Sequence, residues 1–399
     1  MTHLKALEKT TAVSGIGLSE VGRPSTKSPI ALTVQACQRA ISSAGIDPKR
    51  IDGISTWPGF LSDASGMSQV GTHEVMRALG LHIDWFCGAR ETPGQLGAIF
   101  NAVAAVATGL ANHVLVFRTI SEASARNQNR ENTSWGNTTE RVRGVQEWTV
   151  PFGSVTPVNI AAMMAKRHFH DYGSTREQLA QIALNSRRNA CLNPDAVFRT
   201  PLTMDDYLSS RAISTPLGLY DCDIPVDVSI AILVSRLDES HGLIQTPLRI
   251  EAIGSAMHRT DTWWRPESLT DSCSSDAAAM MWRRTDLKPK DVDVAQLYDG
   301  YSIFAFLWLE ALGFCNRGEA GSFIEGGNRI SLTGEIPVNT HGGQLSAGRL
   351  HGLGTVHEAC TQLWGIGKDR QVPGNPRIAV ATGGFGNGFS GCMLLVRED

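Results

Sequence analysis

The sequence predicts an α/β protein assembled from two related halves. Strands alternate with helices along the chain, the same order of elements returns after about residue 245, and an excess of glycine gathers in the C-terminal quarter. Alternation of this kind implies a mostly parallel sheet covered by helices. Residues 11–16 (TAVSGI) form the first strand, 30–44 carry the apolar spacing of a helix, and 51–56 form a second strand. Residues 95–110 (QLGAIFNAVAAVATGL) are apolar nearly all round, as in a buried helix. They lead into buried strands at 114–119 (VLVFRT) and 226–235 (VDVSIAILVS).

The second half repeats the first. Residues 248–254 (LRIEAIG) mirror 11–17 (TAVSGIG), and a helix at 276–284 followed by LKPKDVDVAQL mirrors the early helix followed by IDPKRIDGIST. Pro48 and Pro289, Ile51 and Val292, and Asp52 and Asp293 all stand at one offset, 289 − 48 = 241. A helix at 355–365 and strands at 377–381 and 390–396 complete the set, the last echoing 229–235. The division expected is 1–245 and 246–399, with an insert at 121–220 in the first half. The insert begins polar and irregular and becomes helical, with Ser174 and Glu177 spaced as a capping box. An insert of this length on such a core usually forms a lid or binding surface.

Composition narrows the class. Lys+Arg 36 against Asp+Glu 39 gives a net charge of −3, which argues against a nucleic-acid or anionic-membrane surface as the main partner. The eight cysteines are scattered without a CxxC, which excludes a zinc ribbon and argues against a disulfide scaffold. MTHLKALEKT lacks a signal-peptide core, and no apolar run reaches the ~18 residues of a membrane span. The expectation is a soluble protein of the reducing cytoplasm. On that reading the Asn132 and Asn137 glycosylation patterns are incidental. His168 and His170 lack further metal ligands and are read as a solvated helix face. Glycine is 40 of 399, about 10% against an average near 7%, and its clusters fall at 342–354 and 383–388.

The duplicated halves, the buried helix after residue 92, LYDCDIPVDVSIAILVS (219–235), QLYDGYSIF (296–304) and PVNTHGGQLSAGRLHGLG (337–354) together resemble the thiolase superfamily. Within it they are similar to the sterol-carrier-protein-X or lipid-transfer thiolase-like branch, over essentially the whole chain. The resemblance implies a five-layer αβαβα fold, a homodimer and acyl-coenzyme A ligands, with no cofactor beyond the coenzyme A carried by the substrate.

The departures from that family carry the chemistry. Six residues before the Ala98-Ile99 pair, where the family places its nucleophilic cysteine, stands Thr92, which supplies no ready thiolate. Cys87 lies five residues too early. Ala381 or Thr382 takes the place of the second cysteine, and Gly348-Arg349-Leu350 replaces Gly-His-Pro. The third motif reads Tyr298-Asp299-Gly300-Tyr301, so a phenol substitutes for the residue that faces the substrate. Tyr298, Asp299, His341, Arg349 and His351 are the catalytic candidates, and Thr92, Asn339, Gly342, Gly343, Gly383 and Gly384 are expected to line the substrate. Arg349 is expected to hold a carboxylate, orient Tyr298 or contact a coenzyme A phosphate. A pocket that keeps its oxyanion-stabilising loops and a tyrosine or histidine base of lowered pKa fits retro-aldol cleavage of a 3-hydroxyacyl-CoA. Cysteine-lacking members of this branch resemble steroid side-chain-cleaving aldolases that work beside a small OB-fold and zinc-ribbon partner. Two rival readings stand beside this one. They are an acyltransferase with a displaced cysteine and a non-catalytic acyl-CoA- or lipid-binding subunit.

Overall fold

A computed structural model describes residues 6–59, 66–89, 92–128, 146–257, 270, 272–384 and 388–398. Among the described residues, five strands of the nine-stranded main sheet belong to the first half: β1 (Thr11–Leu18), β2 (Gly53–Thr56), β3 (Trp85–Gly88), β4 (His113–Ser121) and β5 (Asp227–Arg236). Four belong to the second: β6 (Leu248–Met257), β7 (Val294–Gln296), β8 (Ile378–Gly384) and β9 (Phe389–Arg397). They are hydrogen-bonded in the order β3-β2-β4-β5-β1-β6-β9-β8-β7. Read outward from the centre, both halves run first strand, last strand, fourth-strand equivalent, second strand. The repeat expected from the 241-residue offset is therefore a repeat of topology, with β6, β9, β8 and β7 matching β1, β5, β4 and β2. Within the sheet the halves are joined by the antiparallel pairing of β1 with β6, at Ala12 with Arg249 and Val13 with Leu248.

The sheet is mixed. Parallel pairing, expected for strands separated by helices, holds for β2–β3, β2–β4 and β7–β8. Only four residues separate β8 from β9 in sequence, too few for a crossover, and the two strands pair antiparallel. The pairs β4–β5, β5–β1 and β6–β9 at the centre are antiparallel as well.

Eight helices cover the strands: α1 (Pro29–Ala44), α2 (Thr72–Leu79), α3 (Gly97–Ala107), α4 (Pro157–Tyr172), α5 (Arg176–Cys191), α6 (Cys273–Trp282), α7 (Ser302–Ala311) and α8 (Leu353–Leu363). Ala36, Ala40 and Val75 of α1 and α2 pack on Leu115, Phe117 and Leu233 of the first half. Ile99 and Val103 of α3 and Val356 and Leu363 of α8 fill a middle layer, between Val114 and Ile232 on one side and Leu248 and Met393 on the other. Met164, Ile182, Ala277 and Phe306 of α4 to α7 close the far face over Leu297, Val380 and Leu394. The five layers are αβαβα. Helix α3 is apolar all round because a sheet faces it on both sides. Full burial of a side chain such as Ile99 contributes about 1.5–3 kcal/mol.

The duplication extends to one close approach. A Cβ on Gly17 would lie 2.0 Å from the Ala36 carbonyl oxygen, and one on Gly254 would lie 2.0 Å from that of Ala277. Each half thus lays its first helix directly on its first strand at a glycine. Three local expectations change. The cap of α5 is Thr175 with Gln178, one residue later than Ser174 with Glu177, because the Ser174 hydroxyl is engaged with His168 Nδ1 at 3.0 Å. His168 is buried rather than solvated. It shares the inward stripe of α4 with Ala161, Met164 and Ala165, and its Nε2 meets Glu310 at 2.9 Å. Strand β3, four residues without apolar alternation, was not legible, and it forms the sheet edge with Phe86 70% exposed. Asn132, Asn137 and the polar stretch from 129 to 145 lie outside the described residues.

Candidate active site

The end of β7 is tied down on both sides before it delivers Tyr298. Leu297 N donates to Asn339 Oδ1 at 2.7 Å, and Tyr298 N donates to Thr382 Oγ1 at 2.8 Å. Asn339 holds that position at φ 48°, a left-handed conformation that asparagine tolerates better than most residues. The phenol runs inward, stacked on Phe304 with ring centroids 6.3 Å apart, and its oxygen accepts from Gln95 Nε2 at 3.2 Å. Tyr298 is 1% exposed. Burial, reinforced by the negative charge of Asp223, raises its pKa, with Arg349 and a Gln344 hydrogen bond acting in opposition. The phenol therefore rests protonated. This corrects the expectation of a tyrosine base with a lowered pKa, because desolvation penalises the phenolate.

Arg349 lies beside this phenol and is fully occupied by the protein's own acids. Its Nε and Nη2 bond both oxygens of Asp223 at 2.6 and 2.5 Å, and Nη1 meets Glu122 at 2.6 and 2.7 Å. The carboxylates it holds come from the loop before β5 and the short helix directly after β4, so the carboxylate expected for it is supplied from within the chain. The pair of acids holds the Arg349 guanidinium well above its ordinary pKa, against burial. Burial moves Asp223 upward, with Arg349 opposing it.

His351 stands across the same group. Its ring stacks on Trp57 at 5.7 Å and 21°, and Arg118 Nη2 approaches its Nδ1 at 3.2 Å. Arg118 Nη1 donates to the Trp57 carbonyl at 2.6 Å, and its guanidinium lies 4.9 Å over the Trp57 ring. Gln344 stands between the two sides, its Oε1 accepting from His351 N at 3.3 Å while its side chain opposes the rise in the phenol's pKa. Burial first, then the charges of Arg118 and Arg349, keep His351 well below its ordinary pKa, so the imidazole is neutral.

Asp299 and His341 point elsewhere. Asp299 Oδ1 accepts from Gln344 N at 2.9 Å, at the start of a single π-helical turn (Gly343–Ala347). A Cβ on Gly343, at φ 60°, would stand 1.9 Å from Asp299 Oδ2, so glycine is obligatory there. Gly342, at φ 106°, lets Ala190 of α5 approach to 2.6 Å from where its Cβ would be. The His341 carbonyl accepts from Asn193 at 2.8 Å, and its ring lies with Glu358 and Arg370, away from Tyr298, its pKa lowered by burial to about 4. Burial raises Asp299 to about 7. The folded state keeps a proton that the unfolded carboxyl releases near its ordinary 3.8, so stability falls as pH rises from about 4 to 7. Asp299→Asn should abolish that loss. Urea unfolding at pH 5 and pH 8 checks it, and an unchanged pH dependence in the variant sinks the assignment.

The three glycine-rich loops close around Gln95. A Cβ on Gly352 would lie 2.3 Å from Gln95 Cβ, one on Gly383 2.9 Å from Leu96 Cγ, and one on Gly94 2.9 Å from Gly384 Cα. Thr92 lies at this junction, ahead of α3, and its hydroxyl donates to the Gly94 carbonyl at 3.0 Å. It serves the turn. Cys87 is on β3, its sulfur accepting from Asn101 Nδ2 at 3.3 Å. The structure thus gathers Tyr298, Arg349 and His351, with Thr92, Gly383 and Gly384 at the adjoining junction, and separates His341. Gln95, Arg118, Glu122, Asp223 and Gln344 were not read from the sequence. Arg118 alone gave a signal, a cation inside the apolar strand VLVFRT. Among the described residues no group of three or more His, Cys, Asp or Glu is placed to hold a metal, and no helix is long and apolar enough to cross a membrane.

A duplicated αβαβα core with its glycine-rich loops meeting beside a buried phenol, and a turn-forming threonine where the nucleophile would be, defines a thiolase-fold protein without the thiolase cysteine. Residues 255–396 match the family described as thiolase C-terminal domain-like. A steroid side-chain-cleaving aldolase of Thermomonospora curvata is 31% identical, over 98% of this chain and 99% of that one. The 17-hydroxy-3-oxo-4-pregnene-20-carboxyl-CoA lyase of Mycobacterium tuberculosis is 32% identical, over 97% and 100%. The solved Ltp2-ChsH2(DUF35) aldolase superposes with a TM-score of 0.87 at 29% identity, covering 98% and 99% of the two chains. The chain belongs to the thiolase superfamily, on the branch that holds the steroid side-chain-cleaving aldolases.

Proposed function

We propose that this chain is a retro-aldolase that cleaves the Cα–Cβ bond of a 3-hydroxyacyl-CoA on a steroid side chain. A short acyl-CoA and a ketone or aldehyde are released. The observation that carries the reading is the neutral buried Tyr298, held by Gln95 at 3.2 Å, next to a nucleophile position filled by Thr92. Full-length relatives named for steroid side-chain cleavage support it.

The step balances without a covalent enzyme intermediate. The β-hydroxyl O–H breaks as the β-oxygen becomes a carbonyl, the Cα–Cβ electron pair passes into the thioester enolate, and Cα gains a proton. Tyr298 suits a relay in which the phenol oxygen takes the β-hydroxyl proton as its own proton goes to Cα. The phenol is then neutral before and after, as its environment requires. Coenzyme A enters as part of the substrate.

The edge strand β3, with Phe86 exposed, suits pairing with a second copy, which supports a homodimer. A small OB-fold and zinc-ribbon protein is the further partner, in line with the ChsH2(DUF35) component in the name of the structural relative. Co-expression with such a partner, followed by a cleavage assay on a steroid 3-hydroxyacyl-CoA, tests the reading. Equimolar short acyl-CoA and steroid ketone or aldehyde are expected. Intact substrate in the presence of the partner overturns it, and an acylated Cys87 peptide after incubation with acetyl-CoA would turn it toward acyl transfer.

A further inference from the structure

We infer that Arg118 fixes His351 as the tautomer with its proton on Nε2, so that His351 acts as a hydrogen-bond donor to the thioester oxygen while the enolate forms, and not as a general base. Arg118 is then a positioning residue. This rests on the retro-aldol reading and adds to it the group that receives the enolate charge.

A guanidinium has only N–H groups to offer, so the 3.2 Å contact from Arg118 Nη2 makes His351 Nδ1 an acceptor. A neutral imidazole that accepts at Nδ1 carries its single proton on Nε2. Arg118 is itself held to one orientation by the Trp57 carbonyl at 2.6 Å and by the Trp57 ring at 4.9 Å. It is 2% exposed, and burial lowers its pKa to about 9, which still leaves it charged near neutral pH.

The imidazole has one free edge. Trp57 covers its face, Arg118 occupies Nδ1, and the backbone N is fixed on Gln344 Oε1 at 3.3 Å. Nε2 has no hydrogen-bond partner among the described residues, and it is not among the polar atoms sealed from solvent. His351 takes φ 50° to present the ring this way, a left-handed conformation that costs a histidine some strain. Gln344, whose Oε1 holds the His351 backbone, also acts on the Tyr298 phenol and opposes the rise in its pKa, so the ring and the phenol share one neighbour.

The charges around the ring favour the same state. Arg118 from β4 and Arg349 from the same loop oppose a positive imidazolium, and the acids Glu122 and Asp223 are spent on Arg349. Tyr298, from the end of β7, is neutral. An imidazole kept neutral in this way is a poor base and a good donor. A preorganised donor to a developing oxyanion is worth about 10²–10³ in rate.

The test reads the proton directly. Full-length protein carrying 15N-labelled histidine is examined by NMR from pH 5.5 to 9, with the His351 signal assigned by its loss in His351→Gln. An Nε2–H, Nδ1-acceptor pattern that does not titrate across this range is expected. A saturated acyl-CoA, which cannot be cleaved, should shift the Nε2–H resonance. Arg118→Met should free the ring to carry its proton on Nδ1 as well, so that a second tautomer signal appears, and should lower kcat with KM changed much less. His351→Gln, which keeps a donor near Nε2, should retain kcat within about tenfold, whereas His351→Ala should lose about 10²–10³. A wild-type ring protonated on Nδ1 or titrating near its ordinary pKa overturns the inference, as does a tautomer indifferent to Arg118→Met or to acyl-CoA. Because the tautomer and its response to acyl-CoA are read without turnover, a chain that cleaves no substrate counts against the reaction alone.

Discussion

Tyr298→Phe should reduce Cα–Cβ cleavage by about a thousandfold or more while leaving acyl-CoA binding nearly unchanged. The phenol oxygen both takes and gives a proton in the proposed step, and general acid–base groups contribute about 10²–10⁴ each. The phenylalanine ring keeps the stacking on Phe304, at 6.3 Å between centroids, so the pocket wall survives. What is lost besides the proton is the acceptor for Gln95 Nε2, a buried amide group left without a partner at a cost of about 1–3 kcal/mol. Steady-state kinetics together with calorimetric binding of a saturated acyl-CoA separates the two effects. Near-normal turnover in the variant removes Tyr298 from the mechanism.

Arg349→Met should be the most destabilising single change in the site, by about 3–5 kcal/mol. The methionine fills much the same volume but strands two buried carboxylates, Asp223 and Glu122, that now share four hydrogen bonds from one guanidinium. The loss should shrink as the pH is lowered, because Asp223, already displaced upward by burial, can discharge by taking a proton. Arg349→Lys should fall between the two, since an ammonium cannot reproduce the planar fork that grips both oxygens of Asp223. Urea titrations at pH 8 and pH 5.5 check the set. Equal stability of wild type and Arg349→Met at pH 8 would contradict the ion-pair account.

The difference between Tyr298 and Arg349 shows what could be read in advance. Tyr298 was reached through the resemblance of Tyr298-Asp299-Gly300-Tyr301 to a family motif, and Thr92 through the place that the same resemblance gives the nucleophile, six residues before Ala98-Ile99. Arg349 also stood in a motif, yet its role depends on Glu122 and Asp223, which lie 227 and 126 residues away in sequence. No local pattern announces partners at that range. His341 and His351 fail for a related reason. They lie in one glycine-rich stretch, but Gly342, Gly343 and Gly348 turn the backbone through positive φ angles, and the two rings leave on different sides. Hydrophobic periodicity has nothing to say about such a segment. The layers of the fold were legible because they depend on that periodicity, and the short edge strand β3 was missed because it lacks it.

The contact of Gly352 with Gln95 carries one more consequence. Gly352 caps the start of α8 in the second half, Gln95 lies just before α3 in the first, and the Gln95 amide holds the catalytic candidate Tyr298. The chemistry therefore belongs to a seam, with neither half owning a complete set of groups. An ancestor with one half alone would have needed a second copy to build such a pocket. Fusion of the copies freed each side of the seam to diverge, so that one half kept the phenol while the other supplied the amide that holds it.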